Sequence, residues 1–463
     1  MASHVVIVGG GLAGLACAYH LQKRLAREPG ARITLLEGGA RLGGVLETVE
    51  RDGFLFDRGG DSWVSQKREA TNLAMELGLE KELIYPLPTA KRVYVVHGGR
   101  LVAMPEGLAF GAPTRVFPIL RSPLYSPLGK LRMALDVVLP RGNPEGDESV
   151  GAFVTRRLGR EAKEAVVGPL LGGIFSGDVD ELSLLGSFPQ LREAERQHRS
   201  LILALRRRAK ESAKRGQTAT FTSLRKGMSQ LIDTLAASLG PGTVKTGVKV
   251  QSVVREGTGY MVRTEGGTFE ASAVVLAVNA GVATKLLSDS APKASEALAR
   301  IAFGTSATVH FAFERSEVEH ALDASGFIAP KEERRNIQAA TFVSSKWPGR
   351  APEGKVLMRT FFGEPASSES DGELATRGLA ELAALAGVKG KPLFTEVSRF
   401  VAASPRMLVG HLERVRHLRE QLRDALPGVH LLGGGYDVAG ISDVAKAGRE
   451  LAESLGEPSK LKE

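Results

Sequence analysis

The sequence of 463 residues contains a single cysteine, Cys17, so the chain cannot form an internal disulfide bond. One cysteine also excludes a metal cluster held by several thiolates, and it fits a reducing compartment. Any oxidative chemistry must therefore depend on a cofactor rather than on a pair of thiols.

Features of nucleic-acid recognition are absent as well. Aromatic residues make up only 6% of the sequence, and no motif of a base-reading helix or sheet is present. We therefore expect no nucleic acid partner. The net charge of +9 instead favours other anionic partners, such as carboxylated substrates or anionic lipid.

Long apolar runs and hydrolytic motifs are also missing. No unbroken apolar stretch reaches the roughly 18 residues of a membrane-spanning helix, and the N-terminus lacks the charged region of a signal peptide. We therefore expect a cytoplasmic protein. No GxSxG, HExxH or recognisable carboxylate pair occurs, so the sequence predicts neither a metal site nor a catalytic side chain.

The N-terminal region does contain a dinucleotide-binding pattern. An apolar strand, Val5–Val8, precedes Gly9, Gly11 and Gly14, and a second strand ends at Glu37. In such units the three glycines permit a sharp turn, a close approach to a pyrophosphate and tight helix packing, while the helix N-terminus favours phosphate. A carboxylate at the end of the second strand can bind both hydroxyls of a ribose. The alternative is a glycine-rich turn in an ordinary α/β protein.

A second glycine-rich region distinguishes between the two candidate dinucleotides, NAD and FAD. Arg41-Leu-Gly-Gly44 follows the acidic residue, and Gly53-Phe-Leu-Phe-Asp-Arg-Gly-Gly-Asp-Ser62 comes next. NAD enzymes have no evident need for a second glycine pair there. The region resembles that of the flavoprotein family of amine oxidases and protoporphyrinogen oxidases. The resemblance implies that Arg41 faces the pyrophosphate of an extended FAD, and that Gly43, Gly44 and Gly59 belong to the cofactor site.

The likeness continues along nearly the whole chain. Segments 170–183, 188–190, 195–202, 346–355 and 409–411 resemble protoporphyrinogen oxidases and the related coproporphyrinogen III oxidases. This resemblance implies oxidation of a porphyrinogen to a porphyrin in haem biosynthesis. Six electrons would leave protoporphyrinogen IX or coproporphyrinogen III in three hydride transfers, with one non-covalent FAD per chain, and O2 would be reduced to H2O2. The implied partners are the tetrapyrrole, O2 and the next enzyme of the haem pathway.

The family likeness also implies a fold and further site residues. The expected fold is α/β, with a discontinuous Rossmann-like FAD/NAD(P)-binding domain (1–85, 221–290 and 400–463), a mixed-sheet substrate domain (86–104 and 295–399) and a helical domain (105–220). Arg92–His97 and Arg100–Met104 should form a hairpin. The implied substrate contacts are Arg92, facing a propionate, with Ile328 and Phe361 against the ring. The remaining implied cofactor contacts are Val250, Gly440 and Asp443.

Several residues depart from the family pattern. Gly60 and Asn279 stand where relatives usually have proline, Val438 where glycine is usual, Val444 where cysteine is usual, and Ser404–Met407 replaces a different tetrapeptide. These changes leave two alternatives open. The chain could be another flavin oxidase or desaturase, or an FAD-binding protein that has lost its activity.

Membrane contact is expected through residues 108–139, on the inner face of the cell membrane. This segment mixes apolar residues with cations, a combination that suits an anionic lipid surface. The apolar residues are Val116, Phe117, Ile119, Leu120, Leu124 and Tyr125, and the cations are Arg115, Arg121, Lys130 and Arg132. The alternative is an ordinary helical subdomain with a basic outer face.

Overall fold

A computed structural model describes residues 4–143, 146–175, 177–214, 220–364, 369–436 and 439–455. The strands in chain order are β1 His4–Val8, β2 Arg32–Leu36, β3 Thr48–Arg51, β4 Phe54–Asp57, β5 Trp63–Val64, β6 Leu83–Ile84, β7 Arg92–His97, β8 Arg100–Ala103, β9 Leu108–Ala109, β10 Ala112–Pro113, β11 Phe221–Leu224, β12 Val244–Lys245, β13 Val250–Glu256, β14 Gly259–Thr264, β15 Gly267–Ala271, β16 Ala273–Leu276, β17 Phe303–Glu314, β18 Ala324–Ile328, β19 Ala339–Phe342, β20 Lys355–Phe362, β21 Phe394–Pro405 and β22 Val429–Leu431.

The described chain also contains α-helices. They are α1 Leu12–Leu25, α2 Glu69–Glu76, α3 Val116–Arg121, α4 Pro127–Ala134, α5 Val150–Leu158, α6 Arg160–Ala162, α7 Gly168–Phe175, α8 Leu184–Ser187, α9 Pro189–His198, α10 Leu201–Lys214, α11 Ser229–Ala237, α12 Ala280–Leu287, α13 Pro292–Ala299, α14 Val343–Lys346, α15 Asp371–Ala386, α16 His411–Ala425 and α17 Ile441–Leu455. A π-helical turn, Lys163–Val167, joins α6 to α7.

A five-stranded parallel sheet has the order β12-β2-β1-β16-β22. Strand β1 is fully buried at Val5, Val6 and Ile7 because both faces of the sheet are covered. Helices α1, α11 and α17 pack on one face, and α12, α13 and α16 pack on the other. This is the expected Rossmann-like arrangement, and its strands come from distant parts of the chain.

A mixed seven-stranded sheet has the order β21-β17-β20-β19-β18-β7-β8, in which only β18 and β7 run parallel. Strands β7 and β8 form the expected hairpin, with His97 opposite Arg100. On what we call the far face, Phe311 and Phe313 pack beneath the apolar side of α15. The opposite face, called the near face, lines the cavity described below. The division into domains remains a prediction, and β21 runs through its boundary at residue 400.

The region from α3 to α10 is largely helical and has its own apolar core around Phe153 and Leu191. The buried pair Arg157–Asp136 joins α5 to the turn after α4, and Asp136 also accepts hydrogen bonds from Ser200 and from the N–H of Ile202. No helix in the described ranges is both long and apolar enough to cross a membrane.

The segment expected to contact a membrane divides between surface and core. Ile119, Leu124 and Tyr125 are buried, so their assignment to the lipid surface was wrong. Arg132 is not a free cation either, because its guanidinium donates to the backbone carbonyls of residues 155–157 at the end of α5. The exposed apolar residues form what we call the α3–α4 patch, consisting of Val116, Phe117, Leu120, Leu128, Leu131, Leu135, Val137 and Val138.

Candidate active site

The turn between β1 and α1 has the geometry of a phosphate cradle. Gly9 has φ +110°, and a Cβ there would collide with the carbonyl of Ala277. A Cβ on Gly14 would collide with the carbonyl of Gly9, so this glycine lets the helix pack closely. A Cβ on Gly11, in contrast, would meet nothing within 4 Å. Helix α1 begins after Gly11 with no side-chain cap, so its first turn can offer N–H groups to a ligand.

Glu37 fixes this turn against the end of β2. Its Oε2 accepts the N–H of Gly10 and its Oε1 accepts the N–H of Gly39, both at 2.7 Å. The carboxylate therefore lies beside the glycine turn, where the spacing predicts it. Its contact with a ribose remains a prediction.

The second glycine pair packs directly over the first. The N–H of Gly43 donates to the carbonyl of Gly10 at 2.8 Å, and Gly44 lies against Gly11. Both Gly43 and Gly44 have positive φ, at +100° and +60°. The two glycine segments thus form one cradle, and its contact with FAD remains a prediction.

Arg41 braces this second loop. Its guanidinium donates to the carbonyls of residues 42, 44 and 46 and forms an ion pair with Glu47 at 3.3 Å. In this structure the guanidinium of Arg41 therefore stabilises the loop. Its contact with a pyrophosphate remains a prediction.

The other predicted cofactor residues lie in three places. A Cβ on Gly59 would collide with the carbonyl of Val45, so Gly59 allows two loops to touch. Val250 is half-buried at the start of β13. Gly440 precedes α17, and Asp443 in its first turn pairs with Lys67 at 2.5 Å. Their contacts with FAD remain predictions.

Several departures from the family pattern have a local structural account. Asn279 is the N-cap of α12, and its Oδ1 accepts the N–H of Val282 at 2.9 Å. Gly60 packs near Ile441, and Val444 is half-buried against the core beside α1. Ser404 lies in β21 opposite Gly304, and Met407 is buried. Val438 lies outside the described residues.

A cavity of about 430 Å³ lies between the near face, the loop Gly59–Asp61 and the start of α7. Ile328 and Phe361 both line it, beside Val93, Leu170 and Phe400. Its lining is mainly apolar, and the hydroxyl of Thr308 is buried there without a hydrogen-bond partner. The cavity can therefore receive a large apolar ligand that also carries polar groups.

Arg92 is not brought into this cavity. Side chains alternate across a strand, so Val93 faces the cavity while Arg92 shares the far face with Tyr94 and Val96. The Arg92 side chain is 59% exposed and pairs with Asp323 at 2.8 Å. Arg92, which was expected to bind a propionate, thus points away from the cavity that Ile328 and Phe361 line.

Three charged residues that sequence reasoning did not assign to a site line the cavity: Asp61, Lys346 and Arg359. Asp61 accepts hydrogen bonds from Lys346 at 3.0 Å and from the indole of Trp347 at 2.9 Å. Burial alone would raise the pKa of Asp61, but Lys346, these hydrogen bonds and Arg359 hold that pKa well below its usual value. The sequence did contain a signal for Arg359, because this charged residue interrupts an apolar strand. A charge inside such a strand needs a partner or a functional role.

The matches to known proteins cover almost the entire chain. A family model described as flavin containing amine oxidoreductase matches residues 12–454. The chain belongs to the flavin-containing amine oxidoreductase family. As a member of this family it is a flavin-dependent oxidoreductase.

Individual relatives of this oxidoreductase agree with the earlier resemblance. It is 34% identical to the coproporphyrinogen III oxidase of Bacillus subtilis, with 96% of each chain covered. It is 29% identical to the chloroplastic protoporphyrinogen oxidase of Nicotiana tabacum, with 94% of this chain and 82% of the relative covered. A crystal structure from Exiguobacterium sp. 255-15, provisionally assigned as a protoporphyrinogen oxidase, superposes with a TM-score of 0.86 at 29% identity and covers 98% of this chain and 99% of that chain.

Proposed function

We propose that this oxidoreductase converts a porphyrinogen to a porphyrin in haem biosynthesis, with one non-covalently bound FAD and O2 as the electron acceptor. The observation that carries the proposal is the position of the cavity. Its wall contains Val45, Gly59 and Gly60 beside the glycine cradle, and also Ile328 and Phe361 on the near face. One cavity therefore adjoins both the predicted cofactor site and the predicted ring site.

The residues of the cradle fit a flavin dinucleotide. Positive φ at Gly9 and Gly43, free space at Gly11 and the uncapped α1 suit a pyrophosphate, while Glu37 lies where a ribose would follow. When bound, the flavin supplies a two-electron acceptor for hydride. The protein's own part is to hold the ring against the near face and to exclude water with the apolar lining.

Coproporphyrinogen III is the substrate that we propose first. The bacterial relatives named as coproporphyrinogen III oxidases are 30–34% identical to this chain, whereas the protoporphyrinogen oxidases are 25–29% identical. Coproporphyrinogen III carries four carboxylates and protoporphyrinogen IX carries two. The basic charge of the chain and the cations of the cavity suit the more acidic compound.

Anaerobic mixing tests the function directly. The purified, flavin-loaded protein is mixed with each porphyrinogen, and flavin absorbance is followed before and after air is admitted. We expect rapid bleaching with coproporphyrinogen III, then return of the flavin band with a porphyrin band and peroxide. An amine or isoprenoid that bleaches the flavin while neither porphyrinogen does would contradict the proposal, and no bleaching by any of them would indicate a protein without this activity.

We further propose that the α3–α4 patch contacts an anionic membrane surface. Phe117 and Leu128 are 71% and 77% exposed, and they belong to a short segment with several exposed large apolar side chains, which suits an interaction site. Arg121 lies exposed within the same segment and can meet lipid phosphates, and so can Arg115, whose ion pair with Glu106 at 3.2 Å is itself exposed.

A further inference from the structure

The cavity holds one positive charge in excess. Its charged lining residues, among those that the structure describes, are Asp61, Lys346 and Arg359. Asp61 and Lys346 form an ion pair at 3.0 Å and so offset each other. Arg359 therefore contributes a charge that this lining does not balance.

The guanidinium of Arg359 is buried and only partly satisfied. Its Nη1 and Nη2 donate to the backbone carbonyls of Gly59 and Arg58, at 2.7 Å and 2.5 Å. Its Nε is buried without a partner, and no carboxylate in the described ranges forms an ion pair with it. Burial lowers its pKa to about 10, although the nearby carboxylates of Asp61 and Asp57 act in the opposite direction. Asp61 already pairs with Lys346 and Asp57 with Arg350, so the buried charge of Arg359 is only partly compensated and an anionic ligand group would stabilise this site.

The neighbours of Arg359 place this charge beside the predicted ring site. Arg359 and Phe361 project from the same face of β20, and the guanidinium lies 4.7 Å from the centre of the Phe361 ring. Thr308 lies opposite Phe361 on β17, and its buried hydroxyl lacks a partner. Lys346 and Arg359 both act on the carboxylate of Asp61, so the two cations lie at the same end of the cavity. That end of an apolar cavity thus combines a cation, a free hydroxyl and an aromatic face.

We propose that Arg359 binds one carboxylate arm of the substrate, with Thr308 as a second donor and Lys346 at the same end of the cavity. This assignment rests on the proposed function, because the ring that carries the carboxylate is the porphyrinogen. Arginine suits the task since its fixed fork of N–H groups can bind a carboxylate through two parallel hydrogen bonds. Arg92 lies on the far face and is not available for it.

A substrate pair separates carboxylate binding from general support of the fold. Flavin-loaded wild type and Arg359→Met are assayed with coproporphyrinogen III and with its tetramethyl ester, which has the same ring without the charges. For Arg359→Met we expect kcat/KM on the acid to fall about ten- to a hundredfold, mostly through KM, because a charged hydrogen bond is lost. On the ester we expect a change of less than about threefold. Arg399→Met is the matched control, since Arg399 lies on β21 of the same sheet and pairs with Asp371 away from the cavity.

Three results would overturn the assignment. An equal loss on acid and ester would show that Arg359 only supports the loop Arg58–Gly59. A weaker flavin affinity with an unchanged acid-to-ester ratio would identify the cofactor as the anion. Loss of the preference in Arg92→Met, with retention in Arg359→Met, would place the carboxylate on the other side of the sheet.

Binding measurements keep the test decisive if Arg359→Met fails to retain flavin. Coproporphyrin III and its tetramethyl ester are titrated against wild type and Arg359→Lys, with tryptophan quenching as the signal. Wild type should bind the acid at least tenfold more tightly, and Arg359→Lys should keep part of that preference because it keeps the charge. Equal affinity of wild type for acid and ester would overturn the assignment. A wild type that prefers the acid but oxidises no porphyrinogen would instead disprove the proposed function alone.

Discussion

At the residue scale, the glycines of the cradle serve different purposes. Gly9 and Gly43 adopt positive φ, which side-chain-bearing residues rarely do. Gly14 has an ordinary φ and is needed for packing, because any Cβ would strike the backbone. Gly11 has neither constraint within the protein, so its small size matters only toward a ligand.

This difference predicts opposite phenotypes for two neighbouring substitutions. Gly14→Ala should destabilise the cofactor-free protein by about 1–3 kcal/mol, because it overpacks the contact of helix with strand. Gly11→Val should leave that stability nearly unchanged yet abolish flavin binding. Denaturant unfolding of the cofactor-free proteins and flavin absorbance after purification measure the two effects. A yellow Gly11→Val protein would show that no pyrophosphate lies at this turn.

His430 predicts a pH dependence of stability. Burial and the nearby Arg419 lower its pKa to about 4 in the folded protein, from an unfolded value near 6.5. The folded state therefore binds fewer protons than the unfolded state between these values. The stability that the neutral His430 ring contributes is fully present above pH 6.5 and is lost as the pH falls toward 4. The free energy of unfolding should fall by about 3 kcal/mol over this range.

The measurement is the free energy of unfolding in denaturant between pH 7.5 and 4.5. His430→Gln should flatten the decline toward acid pH, because glutamine does not titrate. His417→Gln, an exposed histidine on α16, is the control and should follow wild type. Equal slopes for wild type and His430→Gln would contradict the assignment.

Single-residue shifts also limit what sequence can predict. The hairpin of β7 and β8 is confirmed, and Ile328 and Phe361 do line one cavity. The face that Arg92 occupies was not predictable, because a shift of one residue along a strand exchanges the two faces. Arg359 and Lys346 were not assigned because their roles depend on strands and loops far apart in sequence.

At the element scale, the pair Arg157–Asp136 holds the helical region together. Both side chains are fully buried, and the pair links α5, α10 and the turn after α4. Removing Arg157 would leave the carboxylate of Asp136 buried without a cation, whereas Arg157 has a second carboxylate, that of Glu195, at 3.5 Å.

Arg157→Met should therefore cost about 3–5 kcal/mol of stability. The double variant Asp136→Asn/Arg157→Met should recover part of that loss, since no buried charge is left unpaired while the introduced amide oxygen can still accept from Ser200. Denaturant midpoints of the three proteins measure this. A double variant less stable than Arg157→Met would contradict the argument.

The α3–α4 patch makes a second prediction at this scale. Wild type should sediment with anionic liposomes at low salt and be released at high salt, because charge and apolar contact act together. Phe117→Ser/Leu128→Ser should weaken binding at least tenfold without changing flavin content. Val401→Ser, which alters an exposed apolar residue outside the patch, is the control. Binding that survives the double substitution would place the contact elsewhere.

The outlines of this region were easier to predict than its surface. The sequence predicted that the apolar residues of 108–139 face a membrane, but Ile119, Leu124 and Tyr125 are buried in the protein. Helices as short as α3 and α4 offer too few turns for periodicity to separate the buried side from the exposed one. Which side of each helix is buried depends on how the helix packs against the core of this region.

At the scale of the whole molecule, cofactor binding should stabilise the fold. The cradle draws on β1, β2 and the loop at Gly43, so a bound dinucleotide ties these parts together. At a free concentration about a hundredfold above Kd, FAD should add about 2.7 kcal/mol to the free energy of unfolding. Thermal melts of the cofactor-free protein with FAD and with equal NAD test this. An equal shift with both would show that the second glycine pair does not select a flavin.

The parallel sheet also constrains how the protein is made. Strand β16 pairs with β1 on one side and with β22 on the other, and β22 is translated long after both of them. Helix α17, which packs on α1, emerges later still. Until these later elements are made, a chain on the ribosome exposes the unpaired edge of β16 and the apolar side of α1. Chaperone capture of nascent chains should persist until α17 leaves the exit tunnel, and chains halted before β22 should aggregate rather than take up flavin.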